Sequence, residues 1–456
     1  NQADCLHNLA TALAHMGKPA DAEPLYRQAL TLYQTIPGTE HNQADCLHNL
    51  ATALAHMGKP ADAEPLYRQA LTLYQTIPGT EHNQADCLHN LATALAHMGK
   101  PADAEPLYRQ ALTLFQTLPG TQRNQADCLF NLATTLRELD KPAQAEPYYR
   151  QALTLYQTIP GTEHNQATCL QDLATTLYEL GKPAQAEPYY RQALTLVQTL
   201  PGTEHNQANC LNNLATTLRE QDKSADAEPY YRQALTLYQD IPGTERDQAN
   251  CLYNLAKTLR ELGEPVQAEP YYRQALTLYQ TLPNTQRDQA NCLFNLATTL
   301  DDLGKPAEAE PCYHQALTLY QDIPGTERDQ AICLFNLAIT LSKLDKLAEA
   351  EPCYHQALTL YRAIPGTEQK QADCLYNLAT TLSLLGKPAE AESHYRRALA
   401  LYRAIPGTEQ KQAACLNNLA NTLRELGKLA QAESHYRQAL TLYQDIPNTE
   451  ENQATC

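Results

Sequence analysis

Residues 1–41 read NQADCLHNLATALAHMGKPADAEPLYRQALTLYQTIPGTEH, and residues 42–82 repeat these letters without a change. Copies of this 41-residue unit begin, with no insertion or deletion, at residues 1, 42, 83, 124, 165, 206, 247, 288, 329, 370 and 411, and residues 452–456 begin a twelfth. A single inserted residue would rotate a helical face by about 100°. The constant register therefore predicts that each copy is one module stacked on the next, and that residues 1–456 form a single array.

Each unit contains two helical patterns of apolar residues, separated by a Gly-Lys-Pro turn and closed by a Pro-Gly-Thr turn. In the first copy the two stripes consist of Ala3, Leu6, Leu9, Ala10, Leu13 and Met16, and of Ala22, Tyr26, Ala29, Leu30 and Tyr33. The position of Gly17 also takes aspartate (Asp140, Asp222, Asp345), and that of Gly38 also takes asparagine (Asn284, Asn448). Because these residues tolerate a left-handed backbone, a helix C-cap or turn is predicted at both positions.

The segment NLATALAHMGKPADAEPLYRQALTL, residues 8–32, resembles a tetratricopeptide repeat (TPR). The matched signature positions are Leu6, Leu9, Ala10, Leu13, Gly17, Ala22, Tyr26 and Ala29. The long period is similar to that of kinesin light chains and nephrocystin-like proteins. The resemblance implies an all-α fold, a right-handed superhelical solenoid of eleven 41-residue helix-turn-helix (TPR) repeats with 22 helices.

Charge and hydropathy exclude several classes of partner. The net charge is −17, and the sequence contains no run of Lys and Arg that would neutralise phosphates, so neither nucleic acid nor a membrane is an expected partner. No stretch of about 18 apolar residues could span a bilayer, and no charged-then-apolar leader opens the chain. We therefore expect a cytoplasmic protein.

The cysteines and histidines favour structural roles over chemistry. Twelve of the fourteen cysteines share one repeat position, where neighbours about 10 Å apart cannot form disulfides, so free thiols acting as small, half-buried apolar residues are predicted. The histidines occupy separate positions, and His7 and His15 lie about 12 Å apart along one helix, so we predict solvated side chains with no metal. Phosphate-binding loops and nucleophile elbows are absent. The sequence therefore predicts no enzyme activity and no cofactor.

The first helix of the unit has one face that varies among the copies. The most variable positions are those of Asp4, His7, Ala14 and His15, which lie with Asn8 and Thr11 opposite the buried stripe. The resemblance implies that this face lines the concave, peptide-binding groove of a TPR array.

Two sets of side chains on this face are the candidate groove residues. A carboxamide ladder could hold the backbone of an extended peptide, or could bond a neighbouring helix; it consists of Asn8, Asn49, Asn90, Asn131, Asn213, Asn254, Asn295, Asn336, Asn377 and Asn418, with Asp172 as the exception. An aromatic set could anchor a ligand or could pack inward; it consists of Phe130, Tyr253, Phe294, Phe335 and Tyr376.

Three functions agree with these features. The first is a non-catalytic scaffold that binds a peptide or protein segment along the groove. The second is the ligand-recognition array of a larger nucleotide-binding oligomerisation (STAND-type) signalling protein. The third is a structural filament, because both ends of the array expose matching surfaces that could associate end to end.

Overall fold

The computed structural model describes residues 1–444, and all regular structure in this part of the chain is helical. The helices are α1 (Gln2–His15), α2 (Pro19–Gln34), α3 (Glu40–His56), α4 (Pro60–Thr76), α5 (Glu81–His97), α6 (Pro101–Thr117), α7 (Gln122–Glu138), α8 (Pro142–Thr158), α9 (Glu163–Glu179), α10 (Pro183–Val197), α11 (Glu204–Arg219), α12 (Ser224–Gln239), α13 (Glu245–Glu261), α14 (Pro265–Thr281), α15 (Gln286–Asp302), α16 (Pro306–Gln321), α17 (Glu327–Lys343), α18 (Leu347–Ala363), α19 (Glu368–Leu384), α20 (Pro388–Arg403), α21 (Glu409–Glu425) and α22 (Leu429–Gln444). Each predicted repeat thus contributes two helices, and the all-α helix-turn-helix class is confirmed.

The turn inside each repeat has the predicted left-handed residue. Gly17 has a φ of 73°, and the aspartate at the same position of the fourth repeat, Asp140, has a φ of 57°. Asn284, which replaces glycine in the second turn, also has a φ of 57°. Glycine, aspartate and asparagine reach this conformation most readily, which explains why they alternate here. Asn448 lies outside the described residues.

The link between repeats is held by a threonine and a glutamine. Thr80 Oγ1 donates to the carbonyl oxygens of Tyr74, at 2.6 Å, and Ile77, at 2.8 Å. Gln84 Nε2 donates to the same Tyr74 carbonyl at 3.2 Å. These carbonyls lie at the C-terminal end of α4, where the Tyr74 carbonyl also accepts from the Ile77 N–H at 3.1 Å. The hydrogen bonds therefore fix the angle at which α5 leaves the turn.

The core lies between helices that are adjacent in sequence. The chain divides into two compact units, Asn1–Leu237 and Tyr238–Cys456. In the first unit, for example, α3 packs on α4 and α4 on α5; in the second, α13 packs on α14 and α14 on α15. Two large side chains of the second helices, usually both tyrosine, lie at the centre of this packing: Tyr67 is 1% exposed and Tyr74 is 2% exposed.

The cysteines at position 5 are more deeply buried than predicted. From Cys46 to Cys415 they are fully buried, whereas Cys5 is exposed. Cys46 Sγ donates to the carbonyl of Tyr26 in the preceding repeat at 3.1 Å, and desolvation raises the pKa of its thiol to about 12. The cysteines among residues 1–444 form no disulfide. Their position in the core explains why a small, weakly polar side chain recurs there.

Candidate functional site

Clefts open on the variable side of the first helices, which we call the first-helix face: positions 4, 7, 8, 11, 14 and 15 of each unit. One cleft of about 490 Å³ lies between α1 and α3, and the equivalent cleft between α3 and α5 measures about 380 Å³. The first is lined by Thr11, Ala14, His15, Asn49, Thr52 and His56 among others. Among the described residues, no acidic side chain lines either cleft. Both clefts therefore offer hydroxyl, carboxamide and imidazole groups around a small apolar floor.

The hydroxyl groups of the first cleft are held in place by neighbouring atoms. Tyr26 OH donates to Thr11 Oγ1 at 3.1 Å, and Thr11 Oγ1 donates to the carbonyl of His7 at 3.0 Å. Tyr26 itself is 1% exposed, so only its polar end reaches the cleft. These bonds give the cleft wall a fixed pattern of polar atoms.

Small residues at position 14 leave these clefts open. Ala14 and Ala55 line them, whereas the fourth repeat has Arg137 at the same position. Arg137 Nη1 reaches across to Asp172 Oδ1 in the next repeat at 3.3 Å. Burial raises the pKa of Asp172 and the arginine opposes this shift. Asp172 is thus the exception in the carboxamide ladder because it pairs with a cation. The sequence could have suggested this contact, because position 14 of repeat four and position 8 of repeat five both differ from the first copy.

A third cleft brings three of the candidate groove residues together. Phe335, Tyr376 and Asn377 line a cavity of about 290 Å³ in the second unit. Asp373 and Lys411 stand at the same cleft and form an ion pair at 2.7 Å. Tyr402 OH also donates to Asp373, at 2.8 Å. This cleft therefore combines aromatic surface with one balanced pair of charges.

The carboxamide ladder bonds within the array. In the first repeats Asn49, Asn90 and Asn131 each place Nδ2 3.2–3.4 Å from the Nε2 atom of a histidine in the preceding repeat. In the second unit Asn295 Nδ2 donates to Tyr253 OH at 2.9 Å and to the Asn291 carbonyl at 2.8 Å. The alternative that these amides bond a neighbouring helix is thus observed at these positions.

The remaining members of the ladder follow the same geometry in part. Asn418 Nδ2 donates to Tyr376 OH at 2.9 Å, and Asn377 Nδ2 donates to the Asp373 carbonyl at 2.9 Å. Asn8 is exposed, whereas Asn213, Asn254 and Asn336 are half-buried like the others. Where both amide hydrogens are used, as in Asn295, the carboxamide oxygen is the atom left to accept from a ligand.

The aromatic set is half-buried and packs on the tyrosines of the second helices. The ring centroids of Phe130 and Tyr149 lie 5.6 Å apart at 66°, an edge-to-face contact. Tyr253, Phe294, Phe335 and Tyr376 make the same contact at 5.8–6.0 Å. Each ring therefore packs on a second-helix tyrosine of its own repeat, and Phe335 and Tyr376 also line the third cleft.

The prediction that the first-helix histidines are solvated is wrong at position 7. His48 packs edge to face on Tyr67, with centroids 5.6 Å apart, and burial lowers the pKa of its imidazole. The amphipathic pattern does not reveal this, because it places position 7 on the face opposite the buried stripe, and the contact is made with the second helix. His15 and His56, in contrast, are exposed at the clefts.

Neither a metal-binding cluster nor a membrane-spanning helix occurs in the described part of the chain. Residues 1–444 contain no group of three or more His, Cys, Asp or Glu side chains arranged to hold a metal ion. In the same residues no helix combines the length and the apolar composition needed to cross a membrane.

Comparison with known proteins identifies the family. A family model described as Tetratricopeptide repeat matches residues 2–76, 47–117, 83–158, 125–199, 166–240, 206–281, 247–322, 288–363, 329–404 and 371–445. No curated protein matches the sequence.

Two solved structures are similar to parts of the chain. One is BtubC (BKLC) from P. vanneervenii, with 23% identity, 49% of this chain and 91% of that chain covered, and a TM-score of 0.43. The other is a Podosopora anserina protein described as a kinesin light chain with nearly identical TPR-like repeats, with 20% identity, 42% and 93% covered, and a TM-score of 0.37. With family matches that tile residues 2–445, the chain belongs to the tetratricopeptide repeat family.

Proposed function

We propose that this protein is a non-catalytic scaffold that binds an extended segment of a partner protein on its first-helix face. Repeats of this family generally bind other proteins. The observation that carries the proposal is the third cleft, in which Phe335, Tyr376 and Asn377 surround one cavity of about 290 Å³. Partly buried aromatic rings beside polar groups are typical of the anchor points of protein interfaces.

The carboxamide ladder would contribute hydrogen-bond acceptors. Asn295 uses its Nδ2 atom within the array, so its oxygen is oriented by two hydrogen bonds before any ligand arrives. A backbone N–H of an extended peptide could donate to such an oxygen. Preorganised acceptors lower the entropy lost on binding, and this favours recognition of a peptide backbone over recognition of particular side chains.

A cytoplasmic location is part of the proposal. It is supported by the cysteines, because those among residues 1–444 form no disulfide and proteins of oxidising compartments generally do.

The test uses substitutions that the fold already accommodates. A peptide display library is selected on the full-length chain, and the selected peptides are titrated against the double variant Ala14→Arg, Ala55→Arg. Arginine occupies position 14 in several later repeats, so the variant should fold while its side chains fill the first two clefts. Peptides that bind repeats one to three should lose at least about tenfold in affinity, corresponding to roughly 1.4 kcal/mol.

The matched control is Ala20→Arg, Ala61→Arg. These alanines are exposed at the starts of α2 and α4 in the same two repeats, so the control adds the same charge away from the clefts. Equal affinities for the cleft-filled variant, the control and the wild type, for every selected peptide, would contradict the proposal for this part of the face.

A further inference from the structure

Two exposed arginines of the second helices in repeats nine and ten form no ion pair within the described part of the chain. At position 27 of most repeats an arginine pairs with a glutamate one turn earlier, as Arg191 does with Glu187 at 3.0 Å. Arg362, at position 34 of repeat nine, and Arg397, at position 28 of repeat ten, are exposed and form no ion pair within residues 1–444.

The repeat geometry places these two guanidinium groups side by side. One repeat later the same two positions are occupied by Arg403 and Gln438, and Arg403 Nη2 donates to Gln438 Oε1 at 3.1 Å. Positions 34 and 28 of consecutive repeats are therefore within hydrogen-bonding reach. By the same register, Arg362 has the guanidinium of Arg397 as its neighbour where Arg403 has a neutral carboxamide. The pKa of Arg362 is lowered by burial and by the charge of Arg397.

Two histidines extend this group of cations. Elsewhere position 27 of one repeat stacks on position 25 of the next, as Arg150 does over Tyr189 at 5.4 Å. In repeats nine and ten the pair is His355 and His394, whose ring centroids lie 5.9 Å apart at 69°. His394 Nδ1 is buried and has no hydrogen-bond partner among residues 1–444.

The pKa of His394 is affected by the three other groups. Burial lowers the pKa of His394, and His355, Arg397 and Arg362 lower it further, while Glu390 acts in the opposite direction. Like charges brought together in this way cost free energy. An anion seated among them would remove that cost.

We propose that Arg362, Arg397, His355 and His394 form a binding site for a phosphomonoester group on the second helices of repeats nine and ten. Guanidinium groups bind phosphate oxygens through paired N–H donors, and two imidazoles add further donors from the side. A dianion with three terminal oxygens matches four donor groups better than a single carboxylate does. The site lies on different helices from the first-helix face, so it does not depend on the function proposed for that face.

Sequence patterns conceal this site because its members are far apart in the chain. Arg362 and Arg397 are 35 residues apart, and the only arginine directly beside either is Arg396, which pairs with Glu392 at 2.9 Å. Only the 41-residue stacking register brings them together. The prediction of no phosphate contacts rests on the linear sequence. It does not cover cations that the fold brings together in repeats nine and ten.

The test measures binding of phosphate-bearing probes to the full-length chain. Inorganic phosphate, a phosphoserine peptide and the same peptide with glutamate in place of phosphoserine are titrated by calorimetry at constant ionic strength. The double variant Arg362→Gln, Arg397→Gln should bind both phosphate probes at least about tenfold more weakly. The control Arg123→Gln, Arg328→Gln, which removes two exposed arginines elsewhere, should bind like the wild type.

The three probes distinguish the possible ligands. Tighter binding of the phosphoserine peptide than of inorganic phosphate assigns the site to a phosphorylated protein segment, and equal binding assigns it to the free ion. Binding of the glutamate peptide as tight as that of the phosphoserine peptide would overturn the choice of phosphate. Equal binding by the double variant and the control would overturn the site.

A second readout follows the histidines directly. Phosphate should raise the pKa of His394, measured from the ring proton shifts in histidine-labelled protein, because a bound anion favours the protonated ring. Arg397→Gln should raise the pKa of His394 in the absence of phosphate, since it removes one repelling charge. A pKa of His394 that responds to neither change would contradict the arrangement of the four groups.

Discussion

Removal of one buried hydroxyl group in the second repeat should loosen that repeat alone. Tyr74 OH donates to Asp45 Oδ1 at 2.7 Å, and Tyr74 is 2% exposed. The variant Tyr74→Phe removes this bond without a change in shape, and Phe115 shows that the third repeat accepts phenylalanine at the same position. The packing should therefore survive and the hydrogen bond alone should be lost.

The expected cost follows from the charge of the acceptor. A hydrogen bond to a charged group contributes about 1.5–3 kcal/mol, against about 0.5–1.5 kcal/mol for a neutral pair. The variant Asp45→Asn gives the neutral pair, and it too has a natural counterpart, because Asn250 accepts from Tyr279 OH at 2.8 Å. Tyr74→Phe should thus cost at least about 1.5 kcal/mol in the wild-type background and about half of that in the Asp45→Asn background.

Hydrogen exchange of backbone amides is the suitable assay, because repeats of an array can open locally. In Tyr74→Phe the slow amides of α3 and α4 should exchange at least about tenfold faster, the factor that corresponds to 1.4 kcal/mol. Amides of α17, in the second unit, should not change and serve as the internal control. A change of less than about threefold in α3 and α4, or an equal change in α17, would refute the reasoning.

Two further predictions concern the cysteines and histidines. At pH 8 a thiol with a pKa of about 12, such as Cys46, is about one part in ten thousand thiolate. Alkylation of the native protein, followed by mass spectrometry, should therefore label the exposed Cys5 first. Equal rates of alkylation at Cys5 and Cys46 would contradict the burial of Cys46. Because burial lowers the pKa of His48 and His89 below the usual value of 6.5, the unfolded chain binds more protons than the folded one as pH falls below about 6.5. Stability should therefore decrease between pH 6.5 and 5. The decrease should be smaller in the variant His48→Gln, His89→Gln, which has the residue that repeat five has at this position, Gln171. Parallel pH profiles of the thermal midpoint for the variant and the wild type would contradict this.

The fold could be predicted because the same pattern of helices and turns recurs in eleven copies. Each copy shows which substitutions the turn accepts, and the positive φ values of Asp140 and Asn284 are the direct physical counterpart of that alternation. The apolar stripes likewise identify the buried tyrosines, since helical periodicity alone places Tyr67 and Tyr74 toward the core.

The candidate site could be predicted less completely, because its geometry depends on contacts between repeats. The helical wheel places Asn295 on the variable face, yet it cannot show that Tyr253, 42 residues earlier, is its hydrogen-bond partner. The same limit applies to Arg137 and Asp172, and to the neighbouring guanidinium groups of Arg362 and Arg397. A wheel orders residues within one helix, whereas these contacts follow from the offset between helices.

The most direct test of the central claim is a footprint of a bound peptide on the full-length chain. Hydroxyl-radical labelling is compared with and without a peptide selected on the wild-type protein, and side chains are scored by mass spectrometry. If the first-helix face binds the peptide, labelling should decrease at cleft residues such as His56 and Tyr376 and remain constant at Tyr148 and Tyr189 on the second helices. Protection confined to the second-helix tyrosines would contradict the account.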